Sequence, residues 1–448
     1  MKQIRISPLA NPSFRTLFAA QVFSLLAIGL MTVAMSLAAY RIGGVVAAGQ
    51  IMGFLLAVKM VAYVGVAPLA EALFAGRRRK HVMIALDLGR MLLLLPMAFA
   101  TQTWQFAGLA LVFFAVSSGF TPLFQSVIPD VLPDEKVYSR ALVWSRIAYT
   151  LESVLSPIIA ALVLQLITAE YLFWVAAMAF CGSIVSLLAT RFPSDKTDQR
   201  KGPFLRRALK GLDIYRKTPR LRGLFLLNFA LSLSMAWVLV NSVVLAGARL
   251  GDAEEHYPIL MAFYGLGAAL GAVVVPRLIE RLDERRTMLA GALMHALAGL
   301  GIVLPLGYAG YMTLWVGFGL AASLVLTPGG LVLARSAGAA DRPAVFAAQF
   351  SLSHAGWLVA YPLAGQLAAL AGLEQALLIL SGLTVATAAV AVRVWPATDP
   401  VEREHEHPEL PEGHPHLREE PARGPRHRHA HAFHIDDLHP DWTGTRPV

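Results

Sequence analysis

Apolar residues run in blocks of about 20 or more, separated by short polar or basic clusters, and the blocks are apolar on every face. A helix that is hydrophobic all round is buried or crosses a bilayer, and about 20 such residues span the hydrocarbon core. The blocks fall at 13–40, 46–75, 82–100, 104–128, 143–168 and 171–189. A second set falls at 221–248, 256–279, 288–307, 311–333, 344–371 and 374–394. The pattern predicts an all-α membrane protein of twelve transmembrane helices.

The basic stretch between the sixth and seventh blocks divides six spans from six, and landmarks repeat across it. Pro68 answers to Pro276, Glu71 to Glu280, Thr121 and Pro122 to Thr327 and Pro328, and Pro157 to Pro362, at offsets of 208, 209, 206 and 205 residues. Offsets this constant point to an internal duplication of a six-helix unit. The expected organisation is an N-terminal half over 1–190, a linker over 191–220, a C-terminal half over 221–395 and a tail over 396–448. Within the linker, Phe204 to Asp213 alternates apolar and basic residues at helical spacing, which suits an interfacial helix.

Lys and Arg crowd alternate loops. Arg77, Arg78, Arg79 and Lys80 follow the second span, eleven basic residues lie between Arg191 and Arg222, and Arg277, Arg281, Arg285 and Arg286 continue the same side. The opposite loops offer only Arg41 and Arg249. By the positive-inside rule both termini are cytoplasmic, and for a bacterial chain the membrane is the inner one. No cleavable signal is evident, because the basic start leads directly into a full span.

With these features the chain resembles the major facilitator superfamily. That family's loop signature between spans two and three is a Gly, an Asp and a basic cluster; here the stretch is Ala67-Pro68-Leu69-Ala70-Glu71, with the basic run starting at Arg77. Glu therefore replaces Asp, Ala replaces Gly, and the cluster arrives about two positions late. Asp87 and Arg90, one turn into the third span, resemble the partners of this loop, and Glu280, Arg285 and Arg286 form its counterpart in the second half. The resemblance implies a two-domain transporter working by alternating access.

An ionisable side chain in mid-membrane costs about 2.5–3.5 kcal/mol on insertion scales, so each needs a reason. Lys59 lies midway along the second span, as a structural partner for a carboxylate or as part of transport. Glu152, in the fifth span, is the first candidate for a proton carrier; a fixed ion pair with Lys59 or Arg146 is the alternative. Asp87 and His354 complete the candidate proton-coupling set, while His295, Asn228 and Asn241 suit hydrogen bonds between helices. Gly265, Gly267 and Gly271, with Gly317 and Gly319, form small-residue faces that let helix backbones approach.

Composition changes this picture at one end. The chain is 56% hydrophobic and 15% charged, with a mean hydropathy of +0.58, against about 25% charged for soluble domains. The net charge of +9 hides a body at +14 and a region from Asp399 onward at −5. The body's charge is topogenic and implies no nucleic-acid partner. Cys181 is the sole cysteine, which excludes a disulfide framework and a thiolate metal site. Neither a nucleotide-binding motif nor a nucleophile motif is present, so an enzyme is not expected and transport is driven by an ion gradient or runs downhill.

Nine of the thirteen histidines lie in the last 44 residues: His405, His407, His414, His416, His427, His429, His431, His434 and His439. Imidazole suits nickel, cobalt, zinc and copper, and close spacing lets several donors reach one ion. Bacterial nickel-resistance exporters of the same superfamily carry such a tail, and the resemblance implies export of Ni²⁺ or Co²⁺ by proton antiport. The tail's Pro and charged residues predict disorder without metal, and its metal capture should weaken as pH falls toward the ordinary imidazole pKa of about 6.5. The expected partners are divalent metal ions as substrate, protons and the lipid bilayer, with no cofactor and no obligatory protein partner. Two rival functions fit the same chain: a proton-coupled exporter of organic molecules such as drugs or siderophores, and a membrane-anchored metal buffer or sensor.

Overall fold

The computed structural model describes residues 7–65, 77–192, 204–338, 341–400, 402–406, 429–436 and 438–442. Helix α1 (Pro12–Gly65) bends at Gly44, whose φ of 58° and ψ of −160° form a conformation open to glycine and almost nothing else. It is followed by α2 (Arg79–Met97), α3 (Thr103–Ser118), α4 (Phe120–Val131), α5 (Glu135–Val163) and α6 (Leu172–Ala189). Helix α7 (Phe204–Lys217) is the linker. The second half comprises α8 (Pro219–Leu245), α9 (Ala253–Leu300), α10 (Tyr308–Leu326), α11 (Gly329–Ala334), α12 (Arg342–Ala371) and α13 (Leu373–Val394).

Eight helical stretches are long and apolar enough to cross a bilayer by length and composition. Two of them, α1 and α9, reverse at Gly44 and Asp283 and so supply two crossings each, and α2 and α12 add one apiece. The fold is thus an all-α bundle of two six-helix halves, and a count of twelve crossings fits it. Asp283 makes the second reversal without glycine, at φ 71°. Its carboxylate accepts the Arg286 amide at 2.8 Å and its carbonyl the Thr287 hydroxyl at 2.7 Å, which offsets the strain and starts the ninth crossing.

The bundle's periphery is apolar, with Phe99, Trp104, Leu166, Met178 and Leu370 all largely exposed, as a lipid-facing surface requires. On the linker helix, Ile214 and Tyr215 are buried against the bundle while Leu209 and Leu212 stay exposed, an apolar stripe suited to a membrane interface. The halves meet most closely toward the end of the bundle that carries Gly44. There the Gly49 and Gly365 backbones touch, and Gly53 lies against the Tyr361 carbonyl, so a Cβ at any of the three glycines would collide. Gln50 donates to Gln366 at 2.8 Å and Tyr257 to Ser36 at 2.9 Å on either side of that crossing. Most of the small-residue faces do what their sequence implies: Gly267 packs on the Val316 carbonyl, Gly319 on the Tyr264 carbonyl, and Gly265 across the halves on Ser153, whereas Gly317 faces open space.

Composition predicts a disordered tail, and the described tail residues differ. Strands β1 (Glu402–His405) and β2 (His429–Ala432) pair antiparallel, with Glu402 opposite Ala432 and His405 opposite His429. The physical reason is local. Phe433 and Ile435 are buried, Phe433 packs edge-on against Trp442 at 5.4 Å between ring centroids, and these few apolar residues cluster in the last stretch rather than being diluted along the tail.

Candidate functional site

The mid-membrane ionisable residues converge from separate helices. Lys59 on α1 holds its Nζ 5.7 Å from the Tyr63 ring and 5.6 Å from the Phe114 ring, within cation–π range. Tyr63 lies 5.9 Å from the His354 ring, and His354 stacks on Phe350 at 3.9 Å while its Nδ1 donates to the Phe350 carbonyl at 2.7 Å. Lys59 and Glu152 sense each other's charge, yet no contact ion pair joins them. The Ser156 hydroxyl donates to the Glu152 carboxylate at 3.3 Å, and Gly29 leaves the space that this carboxylate and Ser156 fill. Glu152 is half-buried, and among the described residues no cation contacts its carboxylate, an arrangement a proton carrier can use. The Arg146 side chain lies outside the described residues.

Asp87 and Arg90 are fully buried and pair with each other. Ser183 donates to Asp87 at 2.6 Å, and the Arg90 guanidinium is sandwiched between the Phe120 and Phe180 rings at 4.2 and 4.6 Å. That geometry suits a fixed strut among α2, α4 and α6. Arg79 engages Asp130 at 2.5 Å and the Ser126 carbonyl at 3.0 Å, whereas Arg77 and Arg78 are exposed. Glu71 falls outside the described residues. His295 is buried on Ser234 at 2.9 Å, and Asn241 donates to the Ala364 carbonyl at 3.2 Å, both as ties between helices.

In the second half Glu280 and Arg286 are exposed, and Arg285 donates to the Trp395 and Val392 carbonyls at 2.8 and 3.1 Å, capping α13. Sequence inspection missed the carboxylates that matter here. Glu284, one turn beyond Glu280, faces Arg335 at 3.5 Å. Asp399 lies at the centre of a larger group: Arg403 at 3.2 Å, Arg335 at 3.4 Å, Arg220 at 3.8 Å and the Trp395 indole at 3.1 Å. Trp442 covers this group, its ring 4.5 Å from the Arg403 guanidinium and 5.0 Å from that of Arg220. An Asp four residues before an Arg, just beyond a span that ends in Trp, was the available signal.

The tail histidines divide three ways. His405, His431 and His439 each bring a ring nitrogen within 4.8 Å of the other two. His405 and His439 approach at 3.0 Å between their Nε2 atoms. His429 packs beside this group, 4.5 Å from the His405 ring, and His434 points away toward Arg220 and Arg335. His407, His414, His416 and His427 lie outside the described residues. Burial, reinforced by the neighbouring imidazoles, pushes His405 down to about 3, which keeps it neutral. Burial works to raise the Asp436 carboxyl, but its hydrogen bond with His439 brings it down to about 2. It therefore remains an anionic acceptor for His439.

The fold and this polar arrangement are those of a secondary transporter. The Major Facilitator Superfamily model matches residues 17–251 and 233–432, and the chain belongs to that family. No curated protein matches the chain. Among solved structures it is similar to a mutant of the nucleoside transporter NupG, with 14% identity over 85% of this chain and 100% of the other and a TM-score of 0.72. It is also similar to a bacterial homologue of the human lysosomal transporter Spinster in an inward-facing, unoccupied state (15%; 86% and 98%; 0.67), and to the human organic anion transporter MFSD10, or TETRAN (17%; 85% and 99%; 0.62). At such identities the likeness carries the fold alone.

Proposed function

We propose that this transporter exports a divalent transition metal, nickel first and cobalt second, in exchange for protons across a bacterial inner membrane, with the histidine tail on the cytoplasmic side. The observation that carries the proposal is the gathering of His405, His431 and His439 beside the bundle, a donor set suited to borderline divalent metals. Glu152 serves as the proton carrier: its carboxylate sits at the centre of the bundle with one hydroxyl partner and within the field of Lys59. Protonation of Glu152 would remove the attraction to Lys59, and a change in one charge inside a low-dielectric bundle is worth enough to bias two conformations. The orientation follows from the Lys and Arg clusters at the end that carries both termini. The decisive experiment is metal-driven transport in everted vesicles carrying the protein, comparing nickel, cobalt and zinc under an imposed pH gradient. Absence of metal flux with all three would reject the proposal.

A second substrate class is favoured by a specific observation. Lys59 is ringed by Tyr63 and Phe114, with Phe350 and His354 alongside, a cationic centre in an aromatic setting that suits an organic anion better than a bare dication. The same vesicles assayed for proton-driven movement of organic anions separate the two.

A further inference from the structure

We propose that His405, His431 and His439 bind one divalent transition-metal ion, and that the ion fastens the tail hairpin onto the start of α8, the bend of α9 at Asp283 and the end of α11 as a metal-responsive clasp. This goes beyond the assignment of cargo, since the clasp would operate whether the transported species is a metal or an organic anion.

The three imidazole rings are oriented alike. Each of the three Nδ1 atoms faces an oxygen that can only accept: the Arg403 carbonyl at 3.0 Å for His405, the Ala432 carbonyl at 2.9 Å for His431, and the Asp436 carboxylate at 2.8 Å for His439. The δ nitrogen must therefore be the donor in every case, which in the neutral imidazole leaves the ε nitrogen as a lone-pair donor. That is how proteins hold metal-ligating imidazoles, with the second nitrogen anchored to a carbonyl or carboxylate. Two such ε nitrogens, of His405 and His439, face one another at 3.0 Å with no hydrogen of their own between them. Lone pairs directed at each other repel unless a proton or a metal ion lies between them, and the third imidazole nitrogen within 4.8 Å supplies the further ligand that a metal ion uses and a shared proton does not. Tetrahedral ligation at 2.0–2.1 Å places donor atoms roughly 3.3 Å apart, so closing the 4.8 Å group around one ion calls for side-chain adjustment of about an ångström.

The three rings are also tied to the groups that hold the tail to the second half. His405 is bonded to the backbone of Arg403, and Arg403 spans to Asp399. Phe433 packs edge-on against both the His405 and His439 rings, at 5.1 and 4.9 Å, and against Trp442. Trp442 in turn covers Arg403 and Arg220, the latter at the start of α8. The site and the docking contacts thus share one small core, so an ion that fixes the imidazoles also fixes Arg403 and Trp442 against the second half. Asp399 is held at once by Arg335, beside Glu284 at the ninth crossing's start, and these are groups that a rocking half must carry with it.

The test uses the purified full-length transporter in detergent, titrated with nickel and with zinc, with hydrogen exchange read over 402–405 and 429–432. One tightly bound ion per chain is expected, together with at least a tenfold slowing of exchange in both strands. His439→Gln, which keeps a polar side chain of similar reach, should remove the tight ion and its protection. Asp436→Asn should weaken binding by about 10–100-fold through loss of ring orientation. Replacing His407, His414, His416 and His427 with Ala should leave the tight ion in place. Retention of the tight ion in His439→Gln, its loss in the four-histidine variant, or binding without strand protection would each overturn the proposal. None of these measurements depends on transport, so a failure of metal export in vesicles is distinguishable from a failure of the clasp.

Discussion

Replacing Asp399 with Asn removes the one carboxylate that Arg403, Arg335 and Arg220 approach together. Asp399 and Arg403 are 8% and 3% exposed as side chains and Arg220 1%, so their charges are not solvated in compensation. Breaking a buried pair by removing one member costs about 3–5 kcal/mol. The lower end applies here, because Arg335 is 22% exposed and Asn still accepts from the Trp395 indole. A loss of about 3 kcal/mol is about a hundredfold in the docking equilibrium at 1.4 kcal/mol per decade. The hairpin strands should therefore exchange their amides about a hundred times faster in Asp399→Asn, while α8 and α10 keep their protection. A double-mutant cycle with Arg403→Ala checks the cause, since the two changes should be strongly non-additive if they act on one contact. Unchanged strand exchange, or an equal rise throughout the second half, would refute the account of Asp399 as the tail's attachment point.

Further outcomes follow from the membrane centre and the helix crossings. Glu152→Gln should abolish pH-driven uptake into everted vesicles while leaving protein level and substrate exchange near normal; equal loss of folded protein would mark Glu152 as structural. Gly29→Ala should reduce coupling in the same assay, because its methyl group would occupy the space of the Ser156 hydroxyl and the Glu152 carboxylate; unaltered coupling would show that the carboxylate has room elsewhere. Gly365→Val forces Gly49 away and, at about 1–3 kcal/mol for an overpacked contact, should shift the transporter toward opening at the Gly44 end. Cysteine labelling at that end should then rise, and no change would mean the crossing is not a gate. Truncation after Pro400, which keeps Asp399, should weaken apparent metal affinity without ending transport at saturating metal. Truncation after Trp395 removes Asp399 too and should leave α8 and α10 as stable as truncation after Pro400 does, since Asp399 serves the tail; a lower thermal midpoint for the shorter chain would contradict this.

The bundle was legible in the sequence because hydrocarbon imposes a simple code: about 20 apolar residues per crossing and positive charge on one side. The reversal at Gly44 carried a recognisable glycine, whereas the reversal at Asp283 did not, and its capping carboxylate was hidden among the charges from Glu280 to Arg286. The close crossings of Gly265, Gly267 and Gly319 were legible as small-residue faces, although which helix each would meet was not. The identities of Lys59, Glu152 and His354 drew notice because charge in a membrane is costly. Of their aromatic setting, Tyr63 and Phe350 lie one helical turn from Lys59 and His354, whereas Phe114 comes from a separate helix and could not be read. In the tail, averaging composition over some fifty residues concealed that Phe433, Ile435 and Trp442 lie within ten positions of one another, enough for a local core once Arg403 and Asp399 hold it to the bundle.

The duplication explains why the two functional features lie in different halves. At the offsets that relate the repeats, 205 to 209 residues, the second-half counterparts of Lys59, Asp87 and Glu152 fall at or next to Gly267, His295 and Trp357. Gly267 packs on a backbone carbonyl, His295 is bonded to Ser234, and Trp357 stacks on Tyr361 at 5.0 Å. None of these three carries a fixed charge, and the ionisable residue that the second half brings to the centre is His354, whose ring lies 5.9 Å from that of Tyr63 beside Lys59. The second half's charges sit instead at its edge, where Arg220, Glu284, Arg335 and Asp399 meet the tail. A transporter needs one part whose energy depends on the coupling ion and another that moves against it as a rigid body. Under the proposed mechanism the divergence of the repeats would give that division: Lys59, Asp87 and Glu152 in the first half, and edge charges that hold the histidine hairpin in the second.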